Sequence, residues 1–330
     1  METKFRWIAV AGLALLLGIP TLANGQDIFL ANPAAADLTW KGTAANANAG
    51  LSMDLGVVSN DTRRDLIVGA PGSSGLAGTV YIIFGGPNRT GVLTLASADT
   101  IITSSEAGNR FGAATAVGNV LNQEGATPRN LAIGAPGASG GRGVVYVFNA
   151  GFSSGATRTE ANAVLRVIGQ PGDQLGSALA TADLDDDGFR ELIIGAPGSS
   201  HVYIIKGGAL SGTIDLAATP GAAIPLQSAG FGTVLQAGDV TGDGISDLLV
   251  GAPSQNVVFL YHGTPGPKHG TVGAIPTVPA SSFSGIAPGD EAGVSIRILD
   301  INDDGKDDLA ISAPGRDGPD GRTNAGAVNV

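Results

Sequence analysis

Residues 231–253 read FGTVLQAGDVTGDGISDLLVGAP, and the elements of this stretch return along the chain. It opens with a Phe-Gly pair, continues through an acidic, Gly-rich segment, and ends with an apolar run followed by Gly-Ala-Pro. Recurrence of such a unit at a fixed spacing is the signature of a repeat architecture. The spacing between the two ends of the stretch therefore decides the fold.

The glycine and the triplet of this unit occur five times at a nearly constant spacing, and phenylalanine precedes the glycine in two copies, at Phe111 and Phe231. The triplet is Gly-Ala-Pro in four copies and Ser-Ala-Pro in the fifth, and these begin at Gly69, Gly134, Gly195, Gly251 and Ser312. The upstream glycine, here called the anchor glycine, is Gly50, Gly112, Gly176, Gly232 or Gly293. The two are 19 residues apart in four copies and 22 apart in the second, and the mean period is about 61 residues.

Each period contains short apolar runs bounded by Gly-rich turns. Residues 79–84, 144–148 and 257–261 are β-branched and aromatic, which is typical of strands, and their nearly continuous apolarity indicates strands covered on both faces. Four short strands in about 60 residues, repeated radially, predict an all-β fold, a β-propeller with five recognisable blades. A solenoid is the alternative, but its repeats are usually shorter. We expect the first strands of the blades to begin near Leu51, Ala113, Ser177, Thr233 and Val294.

The two ends of the repeat region do not match. Residues 327–330 align with residues 79–82, so the fifth unit stops in its third strand. Residues 37–40 precede the first anchor glycine where strand-like segments precede the second, so we expect an N-terminal strand to complete the last blade, because an open sheet edge pairs with other chains. The alternative is that the chain is a truncated part of a longer array or of a larger surface protein.

Composition excludes several classes of function. The 330 residues carry a formal net charge of -11, which disfavours binding to nucleic acid or an anionic membrane and favours cations. The chain has no cysteine, which excludes disulfides, thiol catalysis, iron–sulfur clusters and Cys-based zinc sites.

The first 25 residues have the pattern of a signal peptide. Lys4 and Arg6 precede an apolar run at residues 8–17, Pro20 breaks it, and residues 23–25 are small. The run is too short to span a bilayer comfortably. We predict a signal peptide at residues 1–25 and an exported propeller domain at 26–330 that is secreted, periplasmic or on the cell surface, with no membrane span.

Three blades carry a nine-residue acidic loop: loop 3 (residues 183–191), loop 4 (239–247) and loop 5 (300–308). Oxygen-bearing side chains stand at loop positions 1, 3, 5 and 9, with Gly at position 6. Alternate oxygens on a curled loop converge on one point, and Ca²⁺ accepts six to eight oxygens in flexible geometry. The loops are not EF-hands, because the last acid stands at position 9 rather than 12. We expect about three Ca²⁺ ions; solvated acidic turns are the alternative.

The first two blades have lost this pattern. In loop 1 (residues 57–65), Val57 replaces the leading acid and Thr62 the glycine, which leaves Ser59, Asp61 and Asp65. Loop 2 (residues 119–130) is three residues longer, and its only acid is Glu124. We expect both loops to be metal-free.

A Phe-Gly anchor, an Asp-rich loop and a Gly-Ala-Pro triplet in this order resemble the FG-GAP repeats of the integrin alpha-chain β-propeller, from about Asp37 to the end. The resemblance implies four-stranded antiparallel blades, calcium in the hairpin loop between the first two strands, and a ligand surface on the opposite face. It implies calcium-binding roles for Asp183, Asp185, Asp187, the Phe189 carbonyl and Glu191; Asp239, Thr241, Asp243, the Ile245 carbonyl and Asp247; and Asp300, Asn302, Asp304, the Lys306 carbonyl and Asp308. Five units without cysteine or a membrane helix indicate an exported bacterial relative rather than an animal integrin chain.

The pattern favours a calcium-stabilised extracellular binding or adhesion module that recognises a protein or glycan, and not an enzyme. Residues 137–141 match the G-x-S-x-G elbow of hydrolases, but no helical pattern follows them. The alternative is an accessory or catalytic propeller of a secreted hydrolase or lyase, since similar repeats occur in phospholipases and polysaccharide-cleaving enzymes. In that case the carboxylates of Asp173, Glu160 and Asp290 are candidates to converge in space. The oligomeric state is not predicted.

Overall fold

The structure, a computed structural model, describes residues 38–86, 91–121, 129–266, 274–301, 307–318 and 322–330. The signal peptide predicted at residues 1–25 lies outside the described residues. Within them the fold is all-β, as predicted, and successive small antiparallel sheets form the blades of a β-propeller. The first strands of the blades begin within two residues of the expected positions.

The strands follow one another blade by blade. The segment ahead of blade 1 forms β1 (Leu38–Lys41). Blade 1 contains β2 (Ser52–Gly56), β3 (Asp65–Ala70), β4 (Thr79–Ile83), β5 (Gly91–Thr94) and β6 (Thr100–Thr103). Blade 2 contains β7 (Ala114–Gly118), β8 (Asn130–Ala135), β9 (Val144–Phe148), β10 (Ala156–Thr159) and β11 (Leu165–Ile168). Blade 3 contains β12 (Ala178–Ala182), β13 (Glu191–Ala196), β14 (His201–Ile205), β15 (Gly212–Asp215) and β16 (Ile224–Gln227).

The last two blades have fewer described strands. Blade 4 contains β17 (Val234–Gly238), β18 (Asp247–Ala252), β19 (Val257–Tyr261) and β20 (Ser281–Ser284), and blade 5 contains β21 (Ile296–Leu299), β22 (Asp308–Ala313) and β23 (Ala327–Asn329). In the described part of the chain, helical structure is confined to single turns: α1 (Ser73–Leu76), α2 (Ala138–Gly141) and 3₁₀ turns at Leu95–Ser97, Glu160–Asn162, Pro220–Ala222 and Pro253–Gln255. Among the described residues, no helix combines the length and apolarity needed to cross a membrane.

Adjacent blades are joined by parallel strand pairs as well as by side-chain packing. Inside a blade, consecutive strands of the sheet pair antiparallel. The connection to the fourth strand adds a further strand that pairs in parallel with the fourth strand of the preceding blade: β10 pairs with β6, and β15 with β11. Each of these pairs adds backbone hydrogen bonds between neighbouring blades.

The N-terminal strand occupies a fourth-strand position ahead of blade 1. It pairs in parallel with β5, from Leu38 opposite Gly91 to Lys41 opposite Thr94, as β6 pairs with β10. Trp40 is buried in an apolar cluster that contains Tyr81 of blade 1. Among the described residues, β1 has β5 as its strand partner and β23 has β22. Completion of the last blade by the N-terminal strand therefore stays a prediction.

The core is a series of apolar layers between successive blades. In the layer between blades 1 and 2, Ile67 and Ile82 pack with Phe111, Tyr146 and Phe148. The Phe111 and Tyr146 rings meet edge to face with centroids 5.7 Å apart, the geometry that aromatic pairs prefer. Corresponding layers lie between the later blades. Because inner blades are covered on both faces, strands such as β8 are buried along their whole length.

Candidate metal centre

The acidic loops are the hairpin connections between the first and second strands of their blades. Loop 3 connects β12 to β13, and loop 4 connects β17 to β18. In loop 3, the side chains of Leu184 and Leu192 are fully buried, so the loop is attached to the core at both ends. We call this end of the blades the loop face and the opposite end, with the turns after the Gly-Ala-Pro triplets, the triplet face.

Loop 3 brings three predicted ligands together. Asp183, Asp185 and Asp187 each place a carboxylate oxygen within 4.8 Å of the others. The backbone curls around Asp183, whose carboxylate accepts hydrogen bonds from the N–H groups of Asp187 and Gly188. Gly188 has a φ of +92°, the left-handed conformation for which glycine was expected at loop position 6.

Two carboxylate oxygens of loop 3 are buried without a hydrogen-bond partner. They are Oδ1 of Asp185 and Oε1 of Glu191, and both residues are 0% exposed. The other oxygen of Glu191 accepts a hydrogen bond from the Leu184 N–H at 2.8 Å. An unsatisfied buried polar group costs about 1–3 kcal/mol, and more if it is charged. A hard cation removes this penalty, so the all-oxygen donor set of loop 3 fits Ca²⁺.

Two carboxylates of loop 3 have raised pKa values. The pKa of Glu191 is raised to about 8, chiefly by burial and also by the nearby carboxylates of Asp185, Asp183 and Asp187, while the Leu184 hydrogen bond lowers it. Burial also raises the pKa of Asp183. Asp183 and Glu191 are thus harder to ionise than in water, because solvent is excluded and their neighbours are carboxylates.

A lysine outside the loop contacts one of these carboxylates. Nζ of Lys206, which follows β14, lies 2.9 Å from Oδ2 of Asp185. Sequence reasoning missed this residue, because it stands 21 positions after Asp185 in the chain. The available signal was its register, since Lys206 directly follows the third strand of its blade.

Loop 4 has the same curled backbone but a different final residue. Asp239 accepts hydrogen bonds from the N–H groups of Gly242, Asp243 and Gly244. Asp247, at position 9, accepts from the N–H groups of Val240 and Thr241 through Oδ2 and from Gly263 through Oδ1. Both oxygens of Asp247 therefore accept backbone hydrogen bonds, whereas one oxygen of Glu191, Oε1, has no partner.

The contacts described for the predicted carbonyl ligands are those of their N–H groups. Phe189 donates to Asp187 Oδ1 in loop 3, and Ile245 donates to Asp243 Oδ1 in loop 4. Calcium ligation by these two carbonyls stays a prediction. In loop 5, the predicted ligands Asn302, Asp304 and Lys306 lie outside the described residues. Asp308 of that loop accepts a hydrogen bond from the Ile301 N–H at 2.8 Å.

In the two degenerate loops, the side-chain oxygens at position 9 accept hydrogen bonds from donors of the protein. Asp65 of loop 1 accepts from the N–H groups of Val58, Ser59 and Gly85 and from the Ser59 hydroxyl. In loop 2 the position belongs to Asn130, whose Oδ1 accepts from the N–H groups of Val120 and Leu121. Glu124 lies outside the described residues. Position 9 is thus a backbone anchor in every blade with described contacts, a role that sequence reasoning did not assign.

The side chains of the other candidate sites take part in structural contacts. Ser139 lies in the single turn α2 with a φ of +53°. Strand β9 follows this turn, where a hydrolase elbow would have a long helix. Asp173 accepts from the Gln170 N–H, and Asp290 from the Ile286 and Ala287 N–H groups. Glu160 accepts from the Ser105 hydroxyl at 2.6 Å. The contacts described for these three carboxylates do not join them into one site.

Comparison with known proteins places the same repeats in this chain. The FG-GAP-like repeat family matches residues 183–250, which include loops 3 and 4, and the FG-GAP repeat family matches residues 292–330. These matches confirm the resemblance that the Phe-Gly anchors, acidic loops and triplets indicated.

Two kinds of larger protein are similar to the chain. Integrin alpha-3 of Mus musculus is 27% identical over 281 residues, which is 80% of this chain and 25% of the integrin. Integrin alpha-IIb of Homo sapiens is 34% identical over 48% of this chain and 15% of the integrin. Phosphatidylinositol-glycan-specific phospholipase D of Bos taurus is 32% identical over 50% of this chain and 21% of the phospholipase. The chain thus spans a quarter or less of the length of these relatives.

Proposed function

The chain contains FG-GAP repeats related to those of integrin alpha chains, and from this premise we propose that it is a calcium-stabilised binding module that acts outside the cytoplasm. The observation that carries the proposal is the pair of buried oxygens in loop 3, on Asp185 and Glu191, without a hydrogen-bond partner. A cation with several open coordination positions is the chemical complement of such a pocket.

Calcium acts on the fold in this proposal, not on a substrate. Bound Ca²⁺ supplies positive charge that balances clustered carboxylates. Asp183 holds the curl of loop 3 through its backbone hydrogen bonds, and Asp185 and Glu191 present the oxygens that the fold leaves unpaired. Because Glu191 is the first residue of β13, a cation held by Asp185 and Glu191 ties the loop to that strand. Sites of extracellular modules bind with Kd of about 10⁻⁴–10⁻³ M, which at millimolar calcium gives roughly 0.5–1.5 kcal/mol per site.

We place the recognition of a protein or glycan ligand on the triplet face. Loops 3 and 4 belong to the loop face, at the opposite end of the blades. A ligand on the triplet face therefore does not compete with the cation. An open cleft of about 700 Å³ supports this placement, and its lining includes Pro197, Ser200, Pro253, Ser254 and Val294. These residues come from the triplet turns of blades 3 and 4 and from the start of blade 5. Similarity to integrin alpha chains supports an adhesive ligand.

The similarity to phospholipase D supports a second candidate function. In this reading the propeller is an accessory part of an exported hydrolase. The match covers 21% of the bovine enzyme, so the chain corresponds to a minor part of that protein. We favour the non-catalytic module, because the carboxylates of Asp183, Asp185 and Asp187 cluster in loop 3, whereas the contacts described for Asp173, Glu160 and Asp290 do not join these three acids into one site.

A two-step experiment tests the proposal. Calorimetric titration of the chelator-treated protein with Ca²⁺ measures the number of sites and their affinity, and about three are expected. Surface-extract pull-downs in calcium and in chelator then identify the ligand, and Ser200→Trp in the cleft should abolish capture without changing calcium binding. A stoichiometry below one ion per chain refutes the calcium function, and capture that is insensitive to Ser200→Trp refutes the assigned face.

A further inference from the structure

Loop 3 differs from the other described loops in having a lysine at its acidic pocket. The residue that directly follows the third strand is Phe84 in blade 1, Asn149 in blade 2, Lys206 in blade 3 and His262 in blade 4. In blade 2 the side chain of Asn149 already faces position 9, since its Oδ1 accepts a hydrogen bond from Asn130. The residue after the third strand is therefore placed to touch its blade's loop.

In blade 3 this register brings a positive charge onto a predicted ligand. Lys206 Nζ lies 2.9 Å from Oδ2 of Asp185, a carboxylate that is 0% exposed, while the lysine side chain itself is 29% exposed. The lysine leaves Oδ1 of Asp185 unpaired, and it leaves Oε1 of Glu191 unpaired as well. One ammonium therefore offsets only part of the charge of the clustered carboxylates of Asp183, Asp185 and Asp187.

We propose that Lys206 is a resident counter-cation of loop 3 that competes with the divalent cation and sets the calcium affinity of this loop. The inference rests on the proposed calcium function and deepens it by naming a residue that regulates one site. It assigns to Lys206 no role as a ligand, because an ammonium group has no lone pair to offer a metal.

The competition follows from distances. Calcium–oxygen bonds measure about 2.3–2.6 Å, so a Ca²⁺ ion that shares Oδ2 of Asp185 with the ammonium lies within about 5.5 Å of it, and an ion on Oδ1 of the same carboxylate is farther by at most the separation of the two oxygens. Two cations at this separation in a water-poor pocket repel strongly. Either the ammonium leaves Asp185 when calcium binds, or the calcium ion binds despite repulsion from the ammonium. Both routes weaken calcium binding relative to a loop without the lysine.

The metal-free protein should respond in the opposite direction. Without calcium, Lys206 is a positive partner of a buried carboxylate, and breaking a buried ion pair by removing one partner is strongly destabilising. Loss of the lysine charge should therefore lower stability in chelator and strengthen calcium binding. If Lys206 has a merely structural role, its replacement lowers stability both in calcium and in chelator and does not strengthen calcium binding.

The test uses a background in which only loop 3 retains its full set of acids. Asp243→Ala and Asp304→Ala remove position 5 from loops 4 and 5. In this background, Lys206→Met keeps the length of the side chain without its charge, Lys206→Gln is a second neutral variant in case the first folds poorly, and Lys206→Arg keeps the charge. Asn149→Ala is the matched control, because it changes the equivalent residue at loop 2, which we expect to bind no metal.

Calorimetric titration with Ca²⁺ and melting curves in chelator give the two readouts. We expect Lys206→Met and Lys206→Gln to bind calcium at least tenfold more tightly than the background protein and to melt at a lower temperature in chelator. Lys206→Arg and Asn149→Ala should stay within about threefold of its affinity. Unchanged or weaker calcium binding in both neutral variants overturns the inference, while calcium binding by the background protein shows that the proposed function stands. If neither the background protein nor the neutral variants bind calcium, the calcium function of loop 3 fails as well.

Discussion

Gly134 in the triplet of blade 2 lies against the carbonyl oxygen of Gly176, the anchor glycine of blade 3. A Cβ atom placed on Gly134 would be 2.0 Å from that oxygen, a distance that real Cβ atoms do not reach. The same contact joins Gly69 to Gly112 and Gly195 to Gly232, at 2.1 and 2.2 Å. The two glycines of the repeat are thus the two sides of one backbone contact between neighbouring blades.

Replacement of Gly134 by Ala should destabilise the protein by about 3 kcal/mol or more, because the added methyl group meets rigid backbone on the next blade. Denaturant unfolding in saturating calcium measures the change. Gly221→Ala is the control, since a Cβ atom there meets nothing within 4 Å. Equal stability of the two variants would contradict this account of the repeat.

The fifth triplet bears on closure of the ring. It has Ser312 where the others have glycine, and the Ser312 hydroxyl accepts a hydrogen bond from the Ser295 N–H. If blade 1 packed on blade 5 as blade 3 packs on blade 2, the carbonyl of Gly50 would meet the Cβ atom of Ser312. Completion of the last blade by β1 therefore requires a wider junction at Ser312 than at the other triplets, and for such a junction we expect Ser312→Gly to change stability by no more than about 1 kcal/mol, the ordinary entropic effect of glycine. A large stabilisation would instead indicate strain at a closed junction.

Deletion of residues 27–41 should cause aggregation. The deletion removes β1, which exposes the edge of β5, and it removes Trp40 from the apolar cluster with Tyr81 and Ile83. Trp40→Ala keeps the strand and should lower the free energy of unfolding by about 3–5 kcal/mol. Light scattering of the purified deletion variant checks the first expectation. A monomeric product as stable as the full chain would show that β1 is dispensable.

Removal of a metal-ligand residue should abolish the increase in melting temperature that calcium binding to its loop provides. We expect this for Asp185→Ala, Thr241→Ala and Asn302→Ala, each measured with calcium and with chelator. Ser59→Ala in loop 1 is the control: it removes the hydroxyl donor of Asp65 and should lower the melting temperature equally in both conditions, by roughly the effect of one hydrogen bond. A calcium increment that survives in Asp185→Ala would exclude that residue as a ligand.

The stability of the metal-free protein should fall as the pH rises from about 4.5 to about 8. The pKa of Glu191 rises from its ordinary value of 4.5 to about 8 in the folded protein, chiefly through burial. Between these values the folded protein holds a proton that the unfolded chain has lost, so raising the pH favours unfolding until the folded-state pKa is passed. Melting curves in chelator across this range measure the fall.

Calcium should reduce this dependence, because the ion competes with the proton for Glu191, and calcium affinity should rise over the same range. Glu191→Gln is the matched variant: it cannot ionise, so its metal-free stability should be flatter with pH. A pH profile in chelator that is the same for Glu191→Gln and the unchanged protein would show that another group controls it.

The sequence alone predicted the repeat and the strand order, because both are written as local patterns at constant spacing. The apolar runs ahead of each triplet became β3, β8, β13, β18 and β22, and the acidic loops fell in the hairpins before them. Asp183, Asp185 and Asp187 were predicted as a group because alternate positions of a curled loop converge, and the structure brings their oxygens together.

Tertiary structure decided what depends on contacts between distant parts of the chain. Spacing cannot show that Glu191 keeps an unpaired oxygen while Asp247, at the same position, is satisfied by Gly263 after the third strand. It also cannot show that Lys206 reaches Asp185, since a third strand must fold back beside the loop before they meet. Local sequence determines the shape of each loop. The charge balance of the loop depends instead on which groups the neighbouring strands place beside it.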